Sequence, residues 1–223
     1  MQRMQLEAQL LEGCRRLASK GFLNAPTDSF SMRIPGSGEM ILARGCKEKD
    51  WRQIAIGDFD TASFLVTEGV CGLHASIYQE RADVGAMTVS SSKGVRLLAH
   101  HGRGLPPLFD EQVRHIGPSA ESLDSEENVS PDLVSRIFRR GANAALLGEQ
   151  LICLGITCER VLCNTELYEK CAQAFLIAKA SGNRIGHVPV WVRLIATRRL
   201  RKDERRAAAS YGNGLVPEGI SGY

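Results

Sequence analysis

Helical and strand periods alternate along all 223 residues with no linker between them, and such alternation specifies mixed α and β layers around a shared core. In residues 5–19, Leu6, Leu10, Leu11, Cys14, Leu17 and Ala18 recur at helical spacing and Gly21 supplies the stop, which predicts an amphipathic opening helix. Strand patterns follow at 29–34 and 39–44. Between them Pro35-Gly36-Ser37-Gly38 favours a tight reversal, so the pair reads as a hairpin. Residues 69–80 predict a helix, 84–90 a strand, and 93–101 a helix closed by Gly102. Residues 118–131 carry Glu121, Asp124, Glu126 and Glu127 and predict a solvated loop before a helix at 132–140. Apolar runs at 144–147 and 151–154 flank Gly148-Glu149-Gln150 and read as buried strands. Helices are predicted at 165–180 and 190–201.

With 43% apolar residues, a chain of this length encloses a core as one domain, residues 1–223. A net charge of +3 is too small to imply a polyanionic partner, and nucleic acid is not implied by composition. No apolar run approaches the roughly 20 residues that cross a bilayer, and the start lacks the apolar core of a signal peptide. We expect a soluble, cytoplasmic protein. The seven cysteines include no Cys-x-x-Cys pair, so Cys153, Cys158 and Cys163 are expected as reduced, mostly buried thiols. Ser90-Ser91-Ser92-Lys93 has a nucleophile-and-base composition, yet its lysine would need desolvation to act. The basic run from Arg198 to Arg206 is interrupted by Asp203 and Glu204 and reads as a solvated helix end. His74 reads as a hydrogen-bonded structural histidine. Trp191 is expected in a core or subunit contact.

Several segments together resemble the class II aldolase/adducin family. They are Ser29-Phe30-Ser31-Met32-Arg33, Met40-Ile41-Leu42-Ala43-Arg44-Gly45, Leu73-His74-Ala75-Ser76-Ile77-Tyr78, and Arg81-Ala82-Asp83-Val84-Gly85-Ala86-Met87-Thr88. The resemblance covers about residues 5 to 180. It implies an α/β fold of α+β type: a three-layer αβα arrangement with a central, mostly antiparallel sheet flanked by helices. It also implies a homotetramer with sites between subunits, and zinc-dependent cleavage or epimerisation of sugar phosphates. The tail from about residue 203 to 223 resembles the region that related enzymes extend over a neighbouring subunit, with Tyr211 as its residue of interest.

The functional positions of that family have changed here. Its His-x-His strand pair corresponds to Val89 and Ser91, its third histidine to Glu149, and its acid/base glutamate to Val70. Zinc takes nitrogen, sulfur or carboxylate donors at about 2.0 to 2.3 Å; valine offers none and serine a poor one. No cofactor is therefore expected. The resemblance places a ligand pocket at Ser29, Ser31, Arg44, Gly45, Val70, Val89 and Ser91, where Arg44 suits an anion and Glu68 opposes one. The expected function is a class II aldolase-like protein without metal-dependent catalysis, holding a small anionic or hydroxy-carbonyl ligand or acting in assembly or regulation. Two alternatives remain open. One is an enzyme with a rebuilt site, using Glu149 with Ser91, Lys93 or Tyr211 as acid/base groups on a sugar-phosphate-like substrate. The other is a partner-binding module, as adducin heads are.

Overall fold

Residues 35–38 reverse the chain as their composition predicts. Strand β1 (Ser29–Arg33) and strand β2 (Glu39–Arg44) pair antiparallel, from Ser29 opposite Arg44 to Arg33 opposite Met40. Gly36 takes φ 73° in the turn, a conformation that strains any residue with a Cβ. The computed structural model describes residues 2–45, 55–58, 69–102, 104–117, 121–123, 131–138, 141–182 and 184–218. Its other strands are β3 (Ala55–Asp58), β4 (Ala86–Ser90), β5 (Glu121–Leu123), β6 (Ala144–Leu147) and β7 (Gln150–Gly155). They form a seven-stranded sheet of order β3-β2-β1-β4-β7-β6-β5. Of the pairings between these strands, among the described residues, only β5–β6 is parallel, and an isolated bridge joins Leu23 to Ser91 in parallel.

Seven helices flank the sheet: α1 (Gln2–Ser19), α2 (Gly69–Glu80), α3 (Lys93–His100), α4 (Asp110–His115), α5 (Pro131–Phe138), α6 (Cys158–Ala180) and α7 (Val190–Gly212), counted among the described residues. Strand side chains alternate between faces, so β4 sends Ala86 into one apolar layer and Met87 and Val89 into the other. The first layer gathers Leu10 and Leu17 of α1, Leu98 of α3 and Tyr168 of α6. The second is closed by Leu73 and Ile77 of α2 with Leu133 and Ile137 of α5. This is the αβα arrangement around a mostly antiparallel sheet that the sequence led us to expect.

Two buried ionic groups tie the helices down. Arg81, just beyond α2, binds Asp83 through Nε and Nη2 at 2.7 Å each. It also donates to the carbonyls of Phe138 and Ala142 and reaches Glu204 of α7 at 3.2 Å. Glu169 of α6 accepts from Ser92 Oγ at 2.5 Å and from the N–H groups of Gly94 and Val95 at 2.8 and 3.1 Å. Those two N–H groups belong to the first turn of α3, where no helical carbonyl can reach them, and an anion is favoured at that end of a helix. A Cβ at position 94 would lie 2.7 Å from the Glu169 carboxylate, so the approach requires Gly94.

The structure corrects several expectations. Inside the predicted 118–131 loop, residues 121–123 form β5 beside β6; its edge position tolerates the polar sequence that suggested a loop, and 118–120 and 124–130 lie outside the described residues. Helix α6 begins at Cys158 rather than 165, because Thr157 caps it by accepting from the Arg160 N–H at 3.2 Å. Helix α7 continues to Gly212, so the tail is helical, not extended, over 203–212. Its inward stripe runs on past the basic segment through Asp203, Ala207 and Tyr211. Trp191 is outside the core, at 66% exposure. Cys153 is buried as expected, while Cys158 is half-buried and Cys163 is exposed on the outer side of α6. Strand β3 and helix α4 were not anticipated. No described helix is long and apolar enough to cross a membrane.

Replacing Glu169 with alanine leaves the N–H groups of Gly94 and Val95 without their carboxylate partner. The expected loss is about 2 kcal/mol of unfolding free energy. Urea denaturation checks it as a lowered midpoint with an unchanged slope.

Candidate functional site

The site begins with three strands side by side. Ser29 of β1 stands opposite Val89 of β4, and Val89 stands opposite Ile152 of β7. Helix α2 covers this row and brings His74 down onto it. His74 Nε2 lies 2.8 Å from Ser29 Oγ, and Nδ1 lies 2.6 Å from Ser31 Oγ, which also meets Tyr78 Oη at 2.9 Å. A neutral imidazole has one donor and one acceptor nitrogen, so the two hydroxyls satisfy both whichever tautomer is present. His74 is fully buried, and burial pushes its pKa down to about 3. The sequence reading of a structural histidine agrees with this geometry. Val89 sits in the apolar layer with Leu73, Ile77 and Ile152.

One residue beyond β4, Ser91 donates to Asp28 Oδ2 at 2.9 Å. The same oxygen accepts the N–H groups of Asn24 and Ala25 at 2.7 and 2.8 Å, while Gln150 Nε2 approaches Oδ1 at 3.3 Å and Thr27 Oγ1 at 3.0 Å. Asp28 is fully buried, and its pKa is raised by that burial, with the Ala25 N–H and the Ser91 hydroxyl pulling the other way. Sequence reasoning missed both Asp28 and Gln150. Strand alternation would have found Gln150: it shares a face with Ile152 and Leu154, whereas Glu149 belongs to the two-residue turn after Leu147.

The remaining candidates are spread over different parts of the fold. Glu149 is 57% exposed at its side chain and lies 3.5 Å from Nε2 of His100. Lys93 is exposed at the opposite end of the same helix, α3, about 10 Å away at the helical rise per residue. Tyr211 is buried against its own chain and donates to the Ile156 carbonyl at 2.8 Å. Gly85 makes room for it, because a Cβ there would lie 1.7 Å from the Tyr211 hydroxyl. Burial raises the Tyr211 pKa well above the ordinary phenol value. Glu149, Lys93 and Tyr211 are thus not brought together. Arg44 ends β2 opposite Ser29, and Gly45, at φ 100°, donates its N–H to the Asp28 carbonyl at 3.2 Å. Val70 lies in the first turn of α2 with its side chain outside the described residues, as is all of Glu68.

These donors do not fit zinc. Val89 has no lone pair, Ser91 is committed to Asp28, and Glu149 is directed to His100. Gln150, which takes the place nearest Asp28, is a neutral amide and a weak ligand. Among the described residues no three His, Cys, Asp or Glu side chains gather closely enough to hold a metal ion.

No family model and no curated protein sequence matches the chain. Solved structures do match it. An aldolase II superfamily protein from Pseudomonas syringae superposes with a TM-score of 0.69 at 15% identity, over 97% of this chain and 96% of its own. L-fuculose 1-phosphate aldolase from Glaciozyma antarctica gives 0.68 at 15% identity, over 94% and 87%. L-fuculose-1-phosphate aldolase from Thermus thermophilus gives 0.64 at 16% identity, over 83% and 100%. The chain therefore has the class II aldolase fold. At such identities the likeness concerns the fold alone, and the chemistry must be judged from this chain's own side chains.

The buried histidine makes stability depend on pH. His74 has an ordinary pKa near 6.5 when unfolded and one of about 3 when folded, so the unfolded chain binds the extra proton between those values. Its contribution is full above about pH 6.5 and is lost as the pH falls toward 3. His115 acts in the same direction: burial, with Arg160 and Arg114 beside it, lowers its pKa to about 4. Urea midpoints should fall on acidification from neutral pH. His74→Asn should be less stable at neutral pH but flatter in that range, by up to about 1.4 kcal/mol per pH unit.

Proposed function

We propose that this chain keeps the class II aldolase scaffold without the zinc-dependent lyase or epimerase chemistry, and serves in binding, assembly or regulation. The observation that carries this is the packing around Val89. An aliphatic side chain occupies the apolar layer beside a histidine whose two ring nitrogens are both taken by serine hydroxyls. A zinc-polarised carbonyl would need imidazole donors and an adjacent acid/base group. Here the polar groups nearest that place hold the fold together instead. Their engagement is internal: Ser29 and Ser31 with His74, and Ser91 with Asp28. In the same proposal the protein is cytoplasmic, and homotetrameric as the resemblance implies. A small anionic or hydroxy-carbonyl ligand would be received between subunits near Arg44 and Gly45.

Zinc analysis and a lyase assay test it together. Protein purified with zinc supplied should bind it substoichiometrically, and retro-aldol cleavage of ketose 1-phosphates should not exceed that of a heat-denatured control. Stoichiometric, tightly held zinc would overturn the proposal. So would turnover that disappears in Glu149→Gln.

A further inference from the structure

The two acids of α7 point inward and six of its seven cations point out, Arg193 being half-buried. Asp203 is buried against Arg114, and Glu204 binds Arg81, their side chains each only 12% exposed. On the outer side Arg198, Arg199, Arg201, Lys202, Arg205 and Arg206 are all exposed, with no exposed acid on the helix. They span about 12 Å of helix axis at 1.5 Å per residue. The preceding turns of the same outer surface carry Trp191 at 66% exposure and Leu194 at 67%, with Val190 and Ile195 beside them. The helix is held on its inner side by Val113 and Val188 packed against Ala196, so this surface is not needed for its docking. Among the described residues, open space of about 880 Å³ over this face is lined by α7 alone, from Leu194 to Arg205.

We propose that this face of α7 docks an amphipathic acidic helix of a protein partner. Apolar residues of that helix would cover Trp191, Leu194 and Ile195, and its carboxylates would meet the arginine-rich half. Six exposed cations on a helix with no exposed acid select an anionic occupant. Exposed tryptophan and leucine select one that also brings apolar side chains, which the outside of a nucleic-acid duplex lacks. Apolar and basic residues follow one another along the axis of this one helix face. A helical segment with the same lengthwise division can match each half. A bilayer surface is uniform over that distance, so it would meet the apolar and the charged residues at one depth. The proposal is independent of any chemistry in the interior site.

The test uses the full chain and a fluorescent helical peptide with leucines along half of one face and glutamates along the other half. Fluorescence anisotropy should show saturable binding that weakens as salt is raised. Trp191→Ala with Leu194→Ala, and separately Arg198→Glu with Arg201→Glu, should each weaken it about tenfold or more. Circular dichroism checks that these surface variants fold. Five outcomes overturn the proposal. The peptide does not bind, or a scrambled peptide of equal composition binds as tightly. Vesicles containing phosphatidylserine, or duplex RNA, are bound more tightly through the same residues. Or the variants instead abolish self-association of the chain seen without peptide.

Discussion

A neutral imidazole in a dry layer is the constraint around which the centre of this molecule is arranged. His74 has no access to water, so each ring nitrogen must be paired within the protein. The pairing comes from two serines spaced to share one face of β1, with Tyr78 completing the chain of hydroxyls. That requirement fixes how α2 lies across the sheet. It leaves Ser29 directly opposite Val89, with Ile152 beyond it. An aliphatic residue at that point adds apolar contact to the layer and introduces no polar group needing a partner.

The rims of the sheet depend on charge that is buried and paired. Asp28 gathers donors from its own turn, from Ser91 and from Gln150. Glu169 caps a helix other than its own, and Arg81 joins the end of α2 to α7. Each is a group whose isolation would be costly in this environment, so each links elements far apart in sequence. Helix α7 is arranged by the same rule: its acids serve the interior, and its cations from Arg198 to Arg206 are left for solvent or for a partner.

Much of the fold could be read from the sequence. The hairpin at 35–38 declares itself by its proline and glycines, and the strands of the sheet's middle by short apolar runs, because they are buried on both faces. The elements that went unread, β3, α4 and β5, are short, and a few residues do not establish a period. The end of α7 was misread for another reason. Its inward side there carries Asp203 and Glu204 among Ala207 and Tyr211, and these acids are compatible with burial only because Arg114 and Arg81 meet them.

For the site, the order of residues alone established which donors are present: valine and serine on the β4 segment, a glutamate at the β6–β7 turn, and a lone histidine on α2. Composition at those positions settles what bonds a metal could form, since coordination depends on lone pairs. What those residues do instead was left to the three-dimensional arrangement. Whether Glu149 or Gln150 faces Asp28 follows from where the turn ends and the strand begins. Whether Ser91 is available follows from a carboxylate placed 63 positions earlier in the chain. Those partners come from other elements, and they meet only when the apolar layers have closed and brought the strands into register.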